Sequence, residues 1–295
     1  MNRSHLSRVA VVAAFAALLG AYSAPAQAVT FEYSQSTGWV LGTSNTRSGP
    51  PPNIGGVEFF EPATNPNPAL HPGDNLPPAG TFTTIGWGCA GNGDAATCPP
   101  GGESVTVIDP ITNPARSALF IEGQAGTVTV NGDWEIITHL DHKNQAITGR
   151  TLSEIDIASI LRLSSNPPFE DEQTIEVSFT ETLNRAPCPP PNPVGTVCDD
   201  FFSFDFGSFE PLTFTSDGVE YTIEFRIANL VNAALIVDPV TGIGTIFTGE
   251  RVTSSLDVEF RILGPQVPEP ATLLLLGTGL VGVGAVSAIR NRRKR

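Results

Sequence analysis

Residues 219–227 read VEYTIEFRI. In an extended chain successive side chains point to opposite faces, so Val219, Tyr221, Ile223, Phe225 and Ile227 share one side. Glu220, Thr222, Glu224 and Arg226 take the other. A strand with one apolar and one charged face belongs in an antiparallel sheet that covers a core and meets water outside. The same period recurs through Leu256, Val258, Phe260 and Ile262, through Ile175, Val177 and Phe179, and through Phe202, Phe204 and Phe206. Shorter strand candidates are Thr127–Val130, Glu135–Leu140 and Ile155–Leu163. Nothing between Val29 and Pro270 sustains a helical spacing, and glycine (29) and proline (26) are abundant among the 295 residues. The expected fold of residues 29–266 is therefore all-β, an antiparallel β-sandwich of jelly-roll type. The proline-rich stretch 49–80 is expected to be a surface loop of that domain, since proline cannot donate to a strand ladder.

Both ends depart from this pattern. Arg3 and Arg8 precede an uncharged run, Val9–Ala21, and then Ala26-Gln27-Ala28. That order of basic, apolar and small residues predicts a secretory signal helix over 1–28, cleaved after Ala28. The other end reads VPEPATLLLLGTGLVGVGAVSAIRNRRKR, from Val267 to Arg295. It contains GTGLVG (Gly277–Gly282), which has the spacing of a dinucleotide-binding loop. Such a loop needs a strand before it and a helix after it, so that backbone amides meet a pyrophosphate. Here it lies inside 19 uncharged residues, Ala271–Ile289, followed by the basic cluster Arg290, Arg292, Arg293, Lys294 and Arg295. A helix of that length reaches roughly 28 Å, close to a bilayer's hydrocarbon core. The expectation is a transmembrane helix over 271–289 with its basic end in the cytoplasm, and no bound cofactor.

Two of the 16 basic residues lie in the leader and five in the tail. Nine are left between Val29 and Pro270 against all 30 acidic residues, a net charge of −21. A body so acidic repels nucleic acid, which is excluded as a partner, and stays dispersed by self-repulsion. The four cysteines, Cys89, Cys98, Cys188 and Cys198, form an even set in a chain expected to be exported, which reads as two disulfides. Three connectivities exist. Local pairing, Cys89 with Cys98 and Cys188 with Cys198, is favoured because loop formers fill both intervals, AGNGDAAT and PPPNPVGTV. A four-cysteine metal site would call for C-x-x-C pairs, which the chain does not have.

Val267-Pro268-Glu269-Pro270, an apolar span and a terminal Arg/Lys cluster together resemble the PEP-CTERM sorting signal of Gram-negative bacteria. The resemblance covers the last 30 or so residues. It implies a substrate of exosortase, a membrane protease-transpeptidase, in organisms that make extracellular polysaccharide. On that reading the precursor is held transiently at the inner membrane and then processed toward the cell surface or matrix, with extracellular polysaccharide as a candidate partner. The prolines also break any helix ahead of the bilayer and keep the site extended.

The middle of the chain resembles the THxN family of PEP-CTERM proteins. The resemblance is carried by WEIITHLDHKNQAITGRTLSEIDIASILRL (Trp134–Leu163), FTETLN (Phe179–Asn184) and CDDFFSF (Cys198–Phe204), with an early Trp87-Gly88. His142 and Asn144 match the motif, with Asp141 where a threonine is expected; Thr138-His139 gives a second alignment in which Asp141 replaces the asparagine. Glu181, Thr182 and Asn184 fit the later E-T-x-N element. The family implies location and fold more than chemistry.

The chemistry of these residues admits two readings. On a strand His139 and Asp141 share a face, and an imidazole beside a carboxylate can bind a metal or act as a base. His142 falls on the opposite face, where with Asn144 it is expected to hold a buried turn by hydrogen bonds. Glu170-Asp171-Glu172 and Asp199-Asp200 offer oxygens suited to calcium, but without the spaced D-x-D-x-D-G loop they read as solvated turns. No serine or cysteine stands in a nucleophile-elbow context and no third group completes a triad. The preferred expectation is a non-enzymatic surface or matrix protein. The alternative is a secreted sugar-binding module or carbohydrate-active enzyme, with or without calcium, which rests on fold analogy.

Overall fold

The structure is a computed structural model that describes residues 28–47, 56–64, 66, 80–90, 103–106, 109–114, 116–182 and 184–265. Residues 1–27 of the expected signal segment, Cys98, most of 49–80 and everything from 266 onward lie outside the described residues. The last of these holds Val267–Pro270, the expected span 271–289 and the basic cluster. Among the described residues no helix is long and apolar enough to cross a membrane.

Eighteen strands follow one another in the described residues. The first nine are β1 (Thr30–Val40), β2 (Asn45–Arg47), β3 (Val57–Pro62), β4 (Thr81–Trp87), β5 (Cys89–Ala90), β6 (Glu103–Val105), β7 (Ser117–Gly123), β8 (Ala125–Thr129) and β9 (Glu135–Lys143). The rest are β10 (Ile147–Thr148), β11 (Thr151–Leu163), β12 (Phe169–Thr180), β13 (Asp200–Asp205), β14 (Leu212–Ser216), β15 (Val219–Val231), β16 (Ala233–Val237), β17 (Ile243–Thr248) and β18 (Thr253–Leu263). Sixteen of them form one sheet whose main path runs β14-β15-β18-β9-β7-β4-β1-β11-β12-β13-β17-β16. Among the described residues only β3 with β6 pairs in parallel. The all-β, antiparallel class read from the sequence is what the structure shows.

The sheet is curled as a half-barrel, and the connectivity requires it. Strands β15 and β16 stand near opposite ends of the path, yet Asn232 alone separates them in sequence. A flat sheet of this width could not be bridged by one residue, because neighbouring strands are about 4.8 Å apart. The apolar faces read from the sequence line the inside of the curl. Tyr221 and Ile223 of β15, Phe260 and Ile262 of β18, and Val177 and Phe179 of β12 are all buried. One inner cluster gathers Trp39, Phe59, Ile85, Trp87 and Phe179, and a second Phe31, Tyr33, Phe214, Tyr221 and Phe260. Each such side chain contributes about 1.5–3 kcal/mol by leaving water. Where β7 passes β1 the backbones touch. A Cβ on Gly123 would sit 1.8 Å from the Gln35 carbonyl oxygen, so only glycine fits.

Two expectations need correction. Within 49–80, residues 57–62 form a strand rather than loop, and Val57 and Phe59 enter the core. The alternating Val57-Glu58-Phe59 outweighs the prolines around it, and Pro62 stands at the strand's last position. Phe206 does not extend its strand: β13 stops at Asp205, whose carboxylate caps a 3-10 turn over Phe206–Phe209 by accepting from the Gly207 amide at 2.9 Å.

Candidate functional site: a buried carboxylate cluster

Four strand ends meet at one end of the sheet. Strand β9 lies between β18 and β7, and its inward position near the end is His142, opposite Ser254 and Leu119. Asn144 stands just past the strand's last residue, Lys143, and its backbone N–H donates to the Val252 carbonyl at 3.1 Å. Glu181 and Thr182 follow the end of β12. Asp200 opens β13 opposite Thr248, the last residue of β17, and Glu250 lies in the turn from β17 to β18.

His142 is fully buried. Its Nδ1 is 2.8 Å from the Thr248 hydroxyl, its ring stacks on Trp87 at 5.7 Å, and Phe179 and Phe202 meet it edge-on at 5.8 and 5.0 Å. Burial pushes its pKa down to about 3, so the ring is neutral. Lys143, next in sequence and on the opposite face, donates to the carbonyls of Pro110 and Ile111, at 2.8 Å each, and of Asn113.

Beside His142, Glu181, Asp200 and Glu250 bring carboxylate oxygens within 4.8 Å of one another. Asp200 Oδ1 accepts from the Thr182 amide at 2.7 Å. The Thr182 hydroxyl lies 2.6 Å from the Cys198 carbonyl and 3.1 Å from Asp200 Oδ1, and its one proton serves one of them at a time. Asp200 Oδ2, both Glu181 oxygens, both Glu250 oxygens and both ends of the Asn144 amide are closed to solvent and make no hydrogen bond of good geometry. Burial drives the Glu181 carboxyl well above its ordinary range, and the charges of Asp200 and Glu250 add to this. Burial also raises Asp200 to about 6 against the bonds from Thr182. Glu250 rises to about 7 through burial and the Asp200 charge. Three carboxylates so close, in a place so dry, either keep protons or surround a cation.

The other sequence candidates are distributed differently. His139 and Asp141 share the outer face of β9. His139 Nδ1 is 2.6 Å from Asp257 Oδ1 and Nε2 is 3.3 Å from Asp141 Oδ1, so both ring nitrogens already have carboxylate partners. Glu170, Asp171 and Glu172 lie not in a turn but in β12, where alternation sends them to different faces. Glu170 pairs with the buried Arg162 guanidinium at 2.8 Å, and Asp171 accepts from Gln173. Asp199 and Asp200 also part company. Asp199 is no solvated turn residue: it ties down its loop by accepting from the amides of Val194 at 2.8 Å and Thr196 at 3.1 Å. Asn184 carries a buried oxygen with no hydrogen-bond partner. Cys188 and Cys198 form a disulfide with 4.9 Å between their Cα atoms. Cys89 is disulfide-bonded as well.

His142, Asn144, Glu181, Thr182 and Asp200 stand out in the sequence, but nothing there brings the three carboxylates together or marks Glu250. That residue sits in a Gly-Glu-Arg turn that carries no pattern of its own, so only the fold reveals it. Next to the cluster the curl encloses a cavity of about 120 Å³, largely apolar and reaching His142 and Thr248.

These features define an all-β protein with a cluster of polar residues in its interior. A family model, the PEP-CTERM protein-sorting motif, matches residues 266–293. The match supports exosortase-targeted export to the cell surface and implies a membrane-anchored precursor that exosortase processes. No curated protein matches the chain.

Proposed function

We propose that this chain is a non-enzymatic component of the cell surface or exopolysaccharide matrix, displaying an acidic, sandwich-like β domain. The observation that carries the proposal is the sorting motif at 266–293 behind a domain whose most reactive-looking cluster is sealed. A glycosidase needs two carboxylates about 5–9.5 Å apart across a groove that admits sugar. Here one oxygen from each carboxylate lies within 4.8 Å of the others, and the oxygens of Glu181 and Glu250 are shut from solvent, which favours a structural role. The convergence of His142, Asn144, Glu181 and Thr182 supports kinship with the THxN family, since residues far apart in sequence meet at one place. On this reading His142 holds the strand ends together.

The test is fractionation of a polysaccharide-producing Gram-negative host that expresses the full chain. We expect the protein in the surface and matrix fractions, and deletion of residues 290–295 should leave it in the inner membrane. Unchanged distribution after the deletion, or hydrolysis of the host's polysaccharide by the purified chain, would count against the proposal.

A further inference from the structure

We propose that Glu181, Asp200 and Glu250, completed by Asn144, form a calcium site. Three neighbouring acids would not by themselves make one. The second observation is Asn144: its side chain is wholly buried and faces the carboxyls of Asp200 and Glu250, yet neither its oxygen nor its nitrogen makes a hydrogen bond of good geometry. Burying an amide without well-made hydrogen bonds costs up to about 1–3 kcal/mol, and the same holds for each carboxylate, with more for a charge. A cation among them removes the whole cost at once.

The free atoms identify the cation. Two oxygens of Glu181, Oδ2 of Asp200, two oxygens of Glu250 and Oδ1 of Asn144 are closed to solvent and make no hydrogen bond of good geometry. Calcium takes 6–8 oxygens at about 2.3–2.6 Å, so ligands on opposite sides of one ion lie up to about 5 Å apart. One oxygen from each of the three carboxylates lies within 4.8 Å of the others, which fits that shell. Zinc and copper favour nitrogen and sulfur, which this group does not offer. Magnesium keeps several waters in a tight octahedron, which suits a closed site poorly. The ligands come from the ends of β9 and β12, the start of β13 and the β17–β18 turn, so one ion would clamp four separate pieces of the sheet. Thr182, which binds both Asp200 and the Cys198 carbonyl, links the clamp to the disulfide loop.

The experiment uses the full chain in detergent, stripped with EDTA. Terbium should bind and give emission sensitised through Trp87, whose indole lies against Glu181, and calcium should displace it. Millimolar calcium should raise the melting temperature by roughly 5 °C, and Glu250→Gln should abolish both effects. The proposal fails if the native chain shows neither sensitised emission nor a calcium-dependent shift, or if Glu250→Gln retains them. Magnesium displacing terbium as well as calcium does would overturn the assignment to calcium. Should Glu250→Gln not fold, the competition on the native chain decides the matter alone.

Discussion

His142 and Thr248 are joined at 2.8 Å across the inside of the half-barrel, although 106 residues separate them and their strands are not neighbours in the sheet. β9 reaches β17 only along β7, β4, β1, β11, β12 and β13. The bond therefore closes the curl from within, and a neutral imidazole suits it because no charge is stranded in the core.

Replacing His142 with alanine should remove that closure and leave a cavity beside Trp87, Phe179 and Phe202. We expect a loss of about 3 kcal/mol, with Thr248→Val costing about 1 kcal/mol. Denaturant unfolding of both variants tests this. Wild-type stability in His142→Ala would refute the structural role.

Lys143 is held differently. Three backbone carbonyls surround its ammonium, and burial lowers its pKa to about 8, with the Asp109 charge opposing the shift. Lys143→Met should leave those carbonyls without their donor and cost roughly 2–3 kcal/mol, read by calorimetry. A neutral result would mean that the carbonyls find other partners.

His139 supplies the pH dependence. Partial burial works against its charge, but the hydrogen bond to Asp257 and the charges of Asp141 and Asp257 prevail and raise its pKa above the usual value of 6.5. A raised histidine contributes stability that is complete below the unfolded pKa and is lost as pH climbs through the folded one. Titration by NMR should place His139 above 6.5, and Asp257→Asn should bring it down. A midpoint at or below 6.5 in the wild type would contradict the pairing.

The Cys188–Cys198 bridge closes the loop that Asp199 organises. Replacing both cysteines with alanine should cost about 2–3 kcal/mol in the chain-entropy picture, and non-reducing mass spectrometry of the wild type should find no free thiol. Alkylation of all four cysteines would reject the disulfide framework.

The outer strands were legible because they are wet on one face: Glu220, Glu224 and Arg226 mark β15 as plainly as its apolar residues do. The inner strands were not. In β1, Ser34, Gln35, Ser36 and Thr37 are all buried, and in β4, Thr81 and Thr84 are too, so neither strand shows an alternation to read. One of them finds its partner on a neighbouring strand: Gln35 donates to the Ser159 hydroxyl. The cluster was half legible. Asn144 and Glu181 emerged through a family resemblance and Asp200 as part of an acidic pair, but a carboxylate in a turn has no periodicity, and Glu250 acquires meaning only when β13 and β17 pair.

The central claim is that this chain is exported and processed at its C-terminal motif. It is tested most directly by mass spectrometry of the terminal peptides of the surface-recovered protein, from hosts with and without exosortase. The account predicts a chain lacking residues 1–28 and truncated at or near Val267–Pro270 in the first host, and an intact end at Arg295 in the second. An identical intact end at Arg295 in both hosts would contradict it.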